Sequence, residues 1–206
     1  MERRGYHHGN LREALIRAAL HLIAEKGPAG FTFAEAARSA GVSPAAPYRH
    51  FRDRDDLLAD VARQGFTRFE AMLGRAWNDG LPDPLTAFGH VGKAYLAFAR
   101  TEPAYYSAMF ESGLPLDAHP DLQQAGDRAF AILKAAADSI CRRLPAAHGP
   151  PPLMVALHMW SLAHGIAALF SRGDAARRKL PMTPEDLLEA GLLVYLQGLG
   201  LTDARA

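Results

Sequence analysis

Residues 31–51 read FTFAEAARSAGVSPAAPYRHF, and their local chemistry decides the fold. Thr32 stands where a helix N-cap belongs, Glu35 three residues later completes a capping box, and Phe31 with Ala36 can close over it as a hydrophobic staple. A short helix over about residues 33–40 is expected. Gly41 then supplies the residue type that best tolerates the left-handed conformation after a helix. Val42 is expected as a buried apolar plug, with Ser43 capping a second helix that begins at Pro44 and runs to Phe51. Two short helices joined by a Gly-containing turn make a helix-turn-helix.

The second helix suits a major groove. Ala45 and Ala46 are small enough to let its start approach base edges, Tyr48 and His50 can bond phosphate oxygens, and Arg49 can reach guanine O6 and N7. Arg52 and Arg54 follow at once and can also reach phosphate, while Asp53, Asp55 and Asp56 suit the positive N-terminus of the long helix that opens there. With the two cap residues Thr32 and Ser43, these form the candidate DNA-binding set. A solvated helical corner of the same composition is the plain structural alternative.

The stretch from Tyr6 to Leu58 resembles the DNA-binding domain of the tetracycline-repressor (TetR) family of bacterial transcriptional regulators. The resemblance rests on the Gly41-Val42-Ser43 turn, the Tyr48-Arg49-His50-Phe51 end and the Arg54-Asp55-Asp56-Leu57 run. Pro47 departs from it, since the family more often has an aliphatic residue there. Lacking an N–H, Pro47 deletes one of the first intrahelical bonds, so the reading helix is expected to start irregularly.

Charge follows the same division. Through residue 54 the chain holds nine Lys and Arg against five Asp and Glu, and the remainder holds fourteen against seventeen. A basic N-terminal part beside an acidic remainder favours a nucleic-acid face on the first part only. Ahead of the first helix, Arg3, Arg4, Tyr6, His7 and His8 form a short basic arm that can follow a phosphate backbone or remain a solvated tail. Asn10 and Glu13 signal the start of that helix, and apolar residues from Leu11 to Ile23 recur at spacings of three and four until Gly27.

From residue 53 to about 78 one long helix is expected, followed by helices over about 84–100, 103–111, 121–144, 153–171 and 184–199, with no strand-like alternation. The fold expected is therefore all-α: an N-terminal three-helix DNA-binding domain over residues 1–54, and a helical effector-binding and dimerisation domain over residues 55–206. A hydrophobic share of 49% allows a sizeable core. The single Cys141 excludes an internal disulfide framework. The N-terminus has no apolar signal region, and the apolar run 153–170 is interrupted by His158, Ser161 and His164. A soluble cytoplasmic protein without a membrane span is expected.

Two features of the C-terminal part point to a ligand. Aromatic and sulfur-containing residues recur at helical spacing, and Phe88, Tyr95, Tyr105, Met109, Phe110, Trp160 and His164 form the candidate ligand-binding set. Most residues of this kind are ordinary core, and Trp160 with His164 can equally pack and bond locally. The pocket is expected between the end of the long helix at Trp77 and the helices that carry these residues. The run LHMWSLAHG puts Trp160 and His164 on one helix face, with Gly165 expected to allow close approach of another helix. Trp-x-x-x-His-Gly, together with Glu102-Pro-x-Tyr-Tyr around residues 102–110, resembles a TetR subgroup named for those three residues.

The helix over 153–171, apolar nearly all round, and the last helix, with Leu187, Leu188, Leu192, Val194, Tyr195, Leu196 and Leu199, carry more apolar surface than one small domain covers, so a four-helix homodimer interface and a near-palindromic double-stranded DNA operator are expected. The resemblance implies a repressor released by a small apolar effector, with no cofactor. An enzyme is the contrasting class, and it finds no H-x-x-x-H pair, no HExxH, no glycine-rich phosphate loop and no G-x-S-x-G elbow in the sequence. A DNA-architectural protein without an effector is the other alternative.

Overall fold

The computed structural model describes residues 11–144, 149–171 and 180–201. The basic arm, the Asn10 cap and most of the linker 172–182 lie outside them. Among the described residues there are eight α-helices and no strand: α1 (Leu11–Lys26), α2 (Phe33–Ser39), α3 (Arg54–Trp77), α4 (Pro84–Thr101), α5 (Pro103–Phe110), α6 (Pro120–Cys141), α7 (Pro152–Ser171) and α8 (Pro184–Gly198). Three 3-10 turns, Ala46–Arg49, Asn78–Gly80 and Leu116–Ala118, complete the order.

The chain forms two compact units. The first takes the described residues through Phe66 with Pro103–Ala125, and the second takes Thr67–Glu102 with the described residues from Gly126 onward. The division falls inside α3, not at the boundary expected after residue 54. α3 offers no linker at that point: it runs unbroken for 24 residues, about 36 Å. It stops where Asn78, Asp79 and Gly80 take φ of 44°, 52° and 80°, outside the helical region.

In the first unit α1 packs on α2 and α5. Leu15, Ile16, Ala19 and Ile23 of α1, Ala36 and Ala37 of α2 and Leu57, Leu58 and Val61 of α3 are sealed from solvent. α5 adds Tyr105, Tyr106 and Met109, all buried. It lies so close to α3 that a Cβ built on Gly65 would come within 2.7 Å of the Met109 sulfur. Gly65 is what permits that approach.

In the second unit α4 is central and packs on α7 and α8. Asp83 caps it by accepting from the Leu85 and Thr86 amides at 3.0 and 3.1 Å. The Thr86 hydroxyl and amide bonds hold the Asp83 carboxyl below its ordinary range. α8 starts with a full Thr183/Asp186 capping box. Gly92 receives Leu188 and Met159 against its bare Cα, and Gly191 receives Leu162. Gly165, by contrast, has no neighbour where a Cβ would stand, so it faces open space and not another helix of this chain.

Candidate nucleic-acid interface

The first half of the decisive stretch folds as its sequence predicts. The Thr32 hydroxyl accepts from the Glu35 amide at 3.2 Å while the Glu35 carboxylate accepts from the Thr32 amide at 2.8 Å. Lys26 donates to the same carboxylate at 2.8 Å. These bonds, that of Lys26 first, pull the Glu35 carboxyl from its ordinary 4.5 to about 2. At the other end Gly41, with φ of 73°, donates to the Arg38 carbonyl, and Val42 donates to that of Ala37. This pair of bonds is a Schellman closure.

The second half does not form the expected α-helix. Residues Ala46–Arg49 make a single 3-10 turn with no side-chain cap, so Ser43 caps nothing. Pro47 is the cause. An α-helix would need its N–H to close on the Ser43 carbonyl; the Ala46 N–H takes that carbonyl instead at 3.0 Å, the tighter bond of a 3-10 turn. Pro47 is buried and Val42 only half-buried, so the plug beneath the reading turn is the proline.

The turn leaves its polar side chains outward. Tyr48 is 64% exposed and stands edge-on to Phe33 at 5.1 Å, while Ser43, Ala45, Arg49 and His50 are exposed and Ala46 is half-buried. Behind them Phe51 is buried under the Arg12 guanidinium, which lies 5.5 Å above its ring. Asp53 caps α3 by accepting from the Asp56 amide at 2.8 Å, and Asp56 accepts from the Arg52 amide at 3.0 Å. The Arg52 side chain remains 75% exposed.

Arg54 is situated differently from the expectation of a free phosphate ligand. Its Nε donates to the Phe31 carbonyl at 3.1 Å, Nη2 to the Pro28 carbonyl and Nη1 to Asp55 at 2.7 Å. The guanidinium also lies 5.0 Å over the Phe31 ring. It ties the loop between α1 and α2 to the start of α3.

The candidate ligand residues divide between the units. In the second, the Tyr95 hydroxyl shares a 2.9 Å hydrogen bond with His164 Nδ1, and Tyr95 is only 1% exposed. Phe69 stands edge-on to Tyr95 at 5.0 Å, Phe88 is sealed, and Trp160 packs against Phe130 at 5.2 Å. In the first, Tyr105 and Met109 are buried, and Phe110 packs against Tyr106 and Phe66. Among the described residues no group of three or more His, Cys, Asp or Glu is arranged to hold a metal ion.

A family model described as "Bacterial regulatory proteins, tetR family" matches residues 15–61, and one described as "Tetracyclin repressor-like, C-terminal domain" matches residues 88–195. The second alone takes in more than half of the chain. The chain belongs to the TetR family of bacterial regulatory proteins. It is 36% identical over 70 residues to the HTH-type transcriptional regulator BetI of Rhizobium meliloti (strain 1021), a likeness that covers 34% of this chain and 31% of that regulator. A protein of unknown function from Rhodococcus sp. RHA1 superposes with a TM-score of 0.79 at 29% identity, over 96% of this chain and 99% of that one. The TetR family regulator PfmR from Thermus thermophilus has the same fold, with a TM-score of 0.69 at 20% identity over 90% of this chain and 98% of its own.

In this TetR-family chain the residues that sequence reading missed are those that hold the reading turn. Arg12 and Asp60 join α1 to α3 at 2.7 Å, and Arg63 bonds the same Asp60 oxygen at 2.7 Å. Both pairs are long-range or on a face that periodicity assigns to solvent. The signal available was Asp60 itself, a lone acid between the apolar positions Leu58 and Val61.

Proposed function

We propose that this transcriptional regulator is a homodimeric, cytoplasmic repressor that grips a near-palindromic operator and releases it when a small apolar effector binds. The observation that carries the DNA reading is the outward set Tyr48, Arg49 and His50 on a turn fixed from behind by buried Pro47 and Phe51. Arg49 reads a base edge, Tyr48, His50 and Arg52 hold phosphates, Thr32 and Ser43 offer hydroxyls beside them, and small Ala45 and Ala46 permit the approach. Selection of bound duplexes from random sequence tests this. Arg49→Ala relaxes the preference at one base position, and alanine at Tyr48 or His50 weakens binding to all sequences alike. Unchanged affinity for selected and random duplexes in all three variants contradicts it.

The dimer rests on an outer apolar face. Leu153, Leu157 and Leu169 of α7 and Leu193 and Val194 of α8 are at least 38% exposed, and the His158–Tyr195 hydrogen bond at 3.0 Å joins the two helices along that face. α7 is long and apolar enough to cross a membrane, yet only 33% of its apolar window is buried within the chain. A second copy covers the rest about a two-fold axis, with Ser161 and Gly165 as the small residues between helices. A monomeric mass in sedimentation at micromolar concentration contradicts this.

The effector is assigned to the second unit, where the Tyr95–His164 hydrogen bond places a polar pair between α4 and α7, the helices that also carry Phe88 and Trp160. Tyr105, Met109 and Phe110 then serve as packing of α5 within the DNA-binding unit. α3 runs unbroken from the reading turn into the effector unit, so a shift of its far end is felt at the reading turn. The coupling is of the usual size for such switches, about 1–3 kcal/mol, and it is reciprocal.

A further inference from the structure

Beside the reading turn, the DNA-binding unit holds a cleft of about 380 Å³, of whose lining the DNA assignment uses only His50 and Arg52 and the effector assignment uses none. This is the small end of the range of ligand pockets, roughly 300–1,000 Å³. Arg12 enters from α1, His50 and Arg52 from the end of the reading turn, Asp60 and Arg63 from α3, and His119 from the start of α6.

At the back of the cleft is Asp60, the one buried charged residue among those described, 8% exposed. Its Oδ1 accepts from Arg12 at 2.7 Å and from Arg63 at 2.7 and 3.1 Å, and its Oδ2 accepts from Gln64 at 3.1 Å. One carboxylate facing two guanidiniums leaves an excess positive charge there. Arg52 and Asp56 cancel each other at the mouth.

Arg12 is the exposed member of this cluster. Asp60 holds its edge and the Phe51 ring holds its face, while 43% of its side chain stays open to the cleft. A guanidinium fixed in place but not covered is a donor fork already oriented for a carboxylate or phosphate. The walls are too polar for an apolar guest, and the buried carboxylate has its lone pairs taken by Arg12, Arg63 and Gln64.

We propose that this cleft is a binding site for a small oxyanion, a carboxylate or phosphate group, with Arg12 as its principal donor and the His50 and His119 imidazoles beside it. Asp121, which makes no ion pair among the described residues, is the opposing charge on its wall. The site is separate from the apolar effector site. The anion can arrive on a small metabolite or as a phosphate of bound DNA, because His50 belongs to both the cleft and the reading turn.

Calorimetric titration of the full chain with sodium phosphate, and separately with disodium succinate, at ionic strength held constant with sodium chloride, tests the site. A saturable heat is expected. Arg12→Gln weakens binding by about tenfold or more, the worth of one charge-assisted hydrogen bond. Asp121→Asn tightens it about two- to threefold by removing a screened like charge. Should Arg12→Gln unfold the domain, the exposed Asp121→Asn variant decides alone. Phosphate binding abolished by saturating random-sequence duplex assigns the site to DNA phosphate, and binding that persists assigns it to a small molecule. No saturable heat with either anion, or an Asp121→Asn variant indistinguishable from the parent protein, overturns the proposal.

Discussion

The two halves of the stretch 31–51 reach order by opposite means. α2 satisfies its own ends: a reciprocal capping box at Thr32 and Glu35, and a Schellman closure through Gly41 and Val42. The reading turn has no cap, and a proline removes the donor that an α-helix would need. Its order comes from neighbours: Pro47 and Phe51 buried beneath it, Arg12 over Phe51, and the Asp53 and Asp56 bonds that start α3 immediately after. The supporting helix is fixed locally, and the reading element is fixed by the fold. On the proposed reading, the side chains assigned to DNA are then left out of the bonds that hold the turn.

Substitutions separate the two halves, beginning with the largest effect. Phe51→Ala empties a buried aromatic site under the reading turn and is expected to cost about 3–5 kcal/mol of stability, read from the denaturant midpoint. A cost below about 1 kcal/mol would show that the turn does not depend on that anchor. Arg54→Ala strands the carbonyls of Pro28 and Phe31 in a partly buried corner, for a loss of about 1–3 kcal/mol.

Thr32→Ala removes the cap of α2 and is expected to cost about 1 kcal/mol in the same measurement. The pH dependence is specific. Because the folded-state carboxyl of Glu35 titrates near 2 against an ordinary 4.5, its stabilisation is full above pH 4.5 and is lost as the pH falls toward 2. Glu35→Gln should lose that part of the acid dependence and keep the rest. The smallest effect is expected for Pro47→Ala, within about 1 kcal/mol, since a restored amide offsets lost rigidity and packing. The amide that this substitution restores should be protected from hydrogen exchange by the Ser43 carbonyl if the turn relaxes toward α-helix.

Much of this was legible in the sequence, and the reasons for the rest are physical. The helix start marked by Thr32 carries its signal in four adjacent residues, and it folds as a cap. Pro47 was readable as a break, but its full consequence was not, because the choice between an irregular α-helix and a 3-10 turn depends on the burial of the proline ring. Arg54 looked like a phosphate ligand because its partners, Phe31 and Pro28, are backbone carbonyls more than twenty residues away. The close approaches at Gly65, Gly92 and Gly191 were equally hidden, since each depends on a side chain from another helix. Tyr95 and His164, 69 residues apart, were both singled out by their chemistry, and the fold joins them at 2.9 Å.

The division between reading and holding is tested most directly by the salt dependence of binding to a random-sequence duplex, measured for Arg52→Ala and Arg54→Ala alongside the parent protein. Each lost phosphate contact lowers the slope of log K against log salt by about one. The account predicts that fall for Arg52→Ala with stability nearly unchanged, and for Arg54→Ala an unchanged slope with a lowered unfolding midpoint. A slope reduced by about one in Arg54→Ala, with its stability intact, would contradict it.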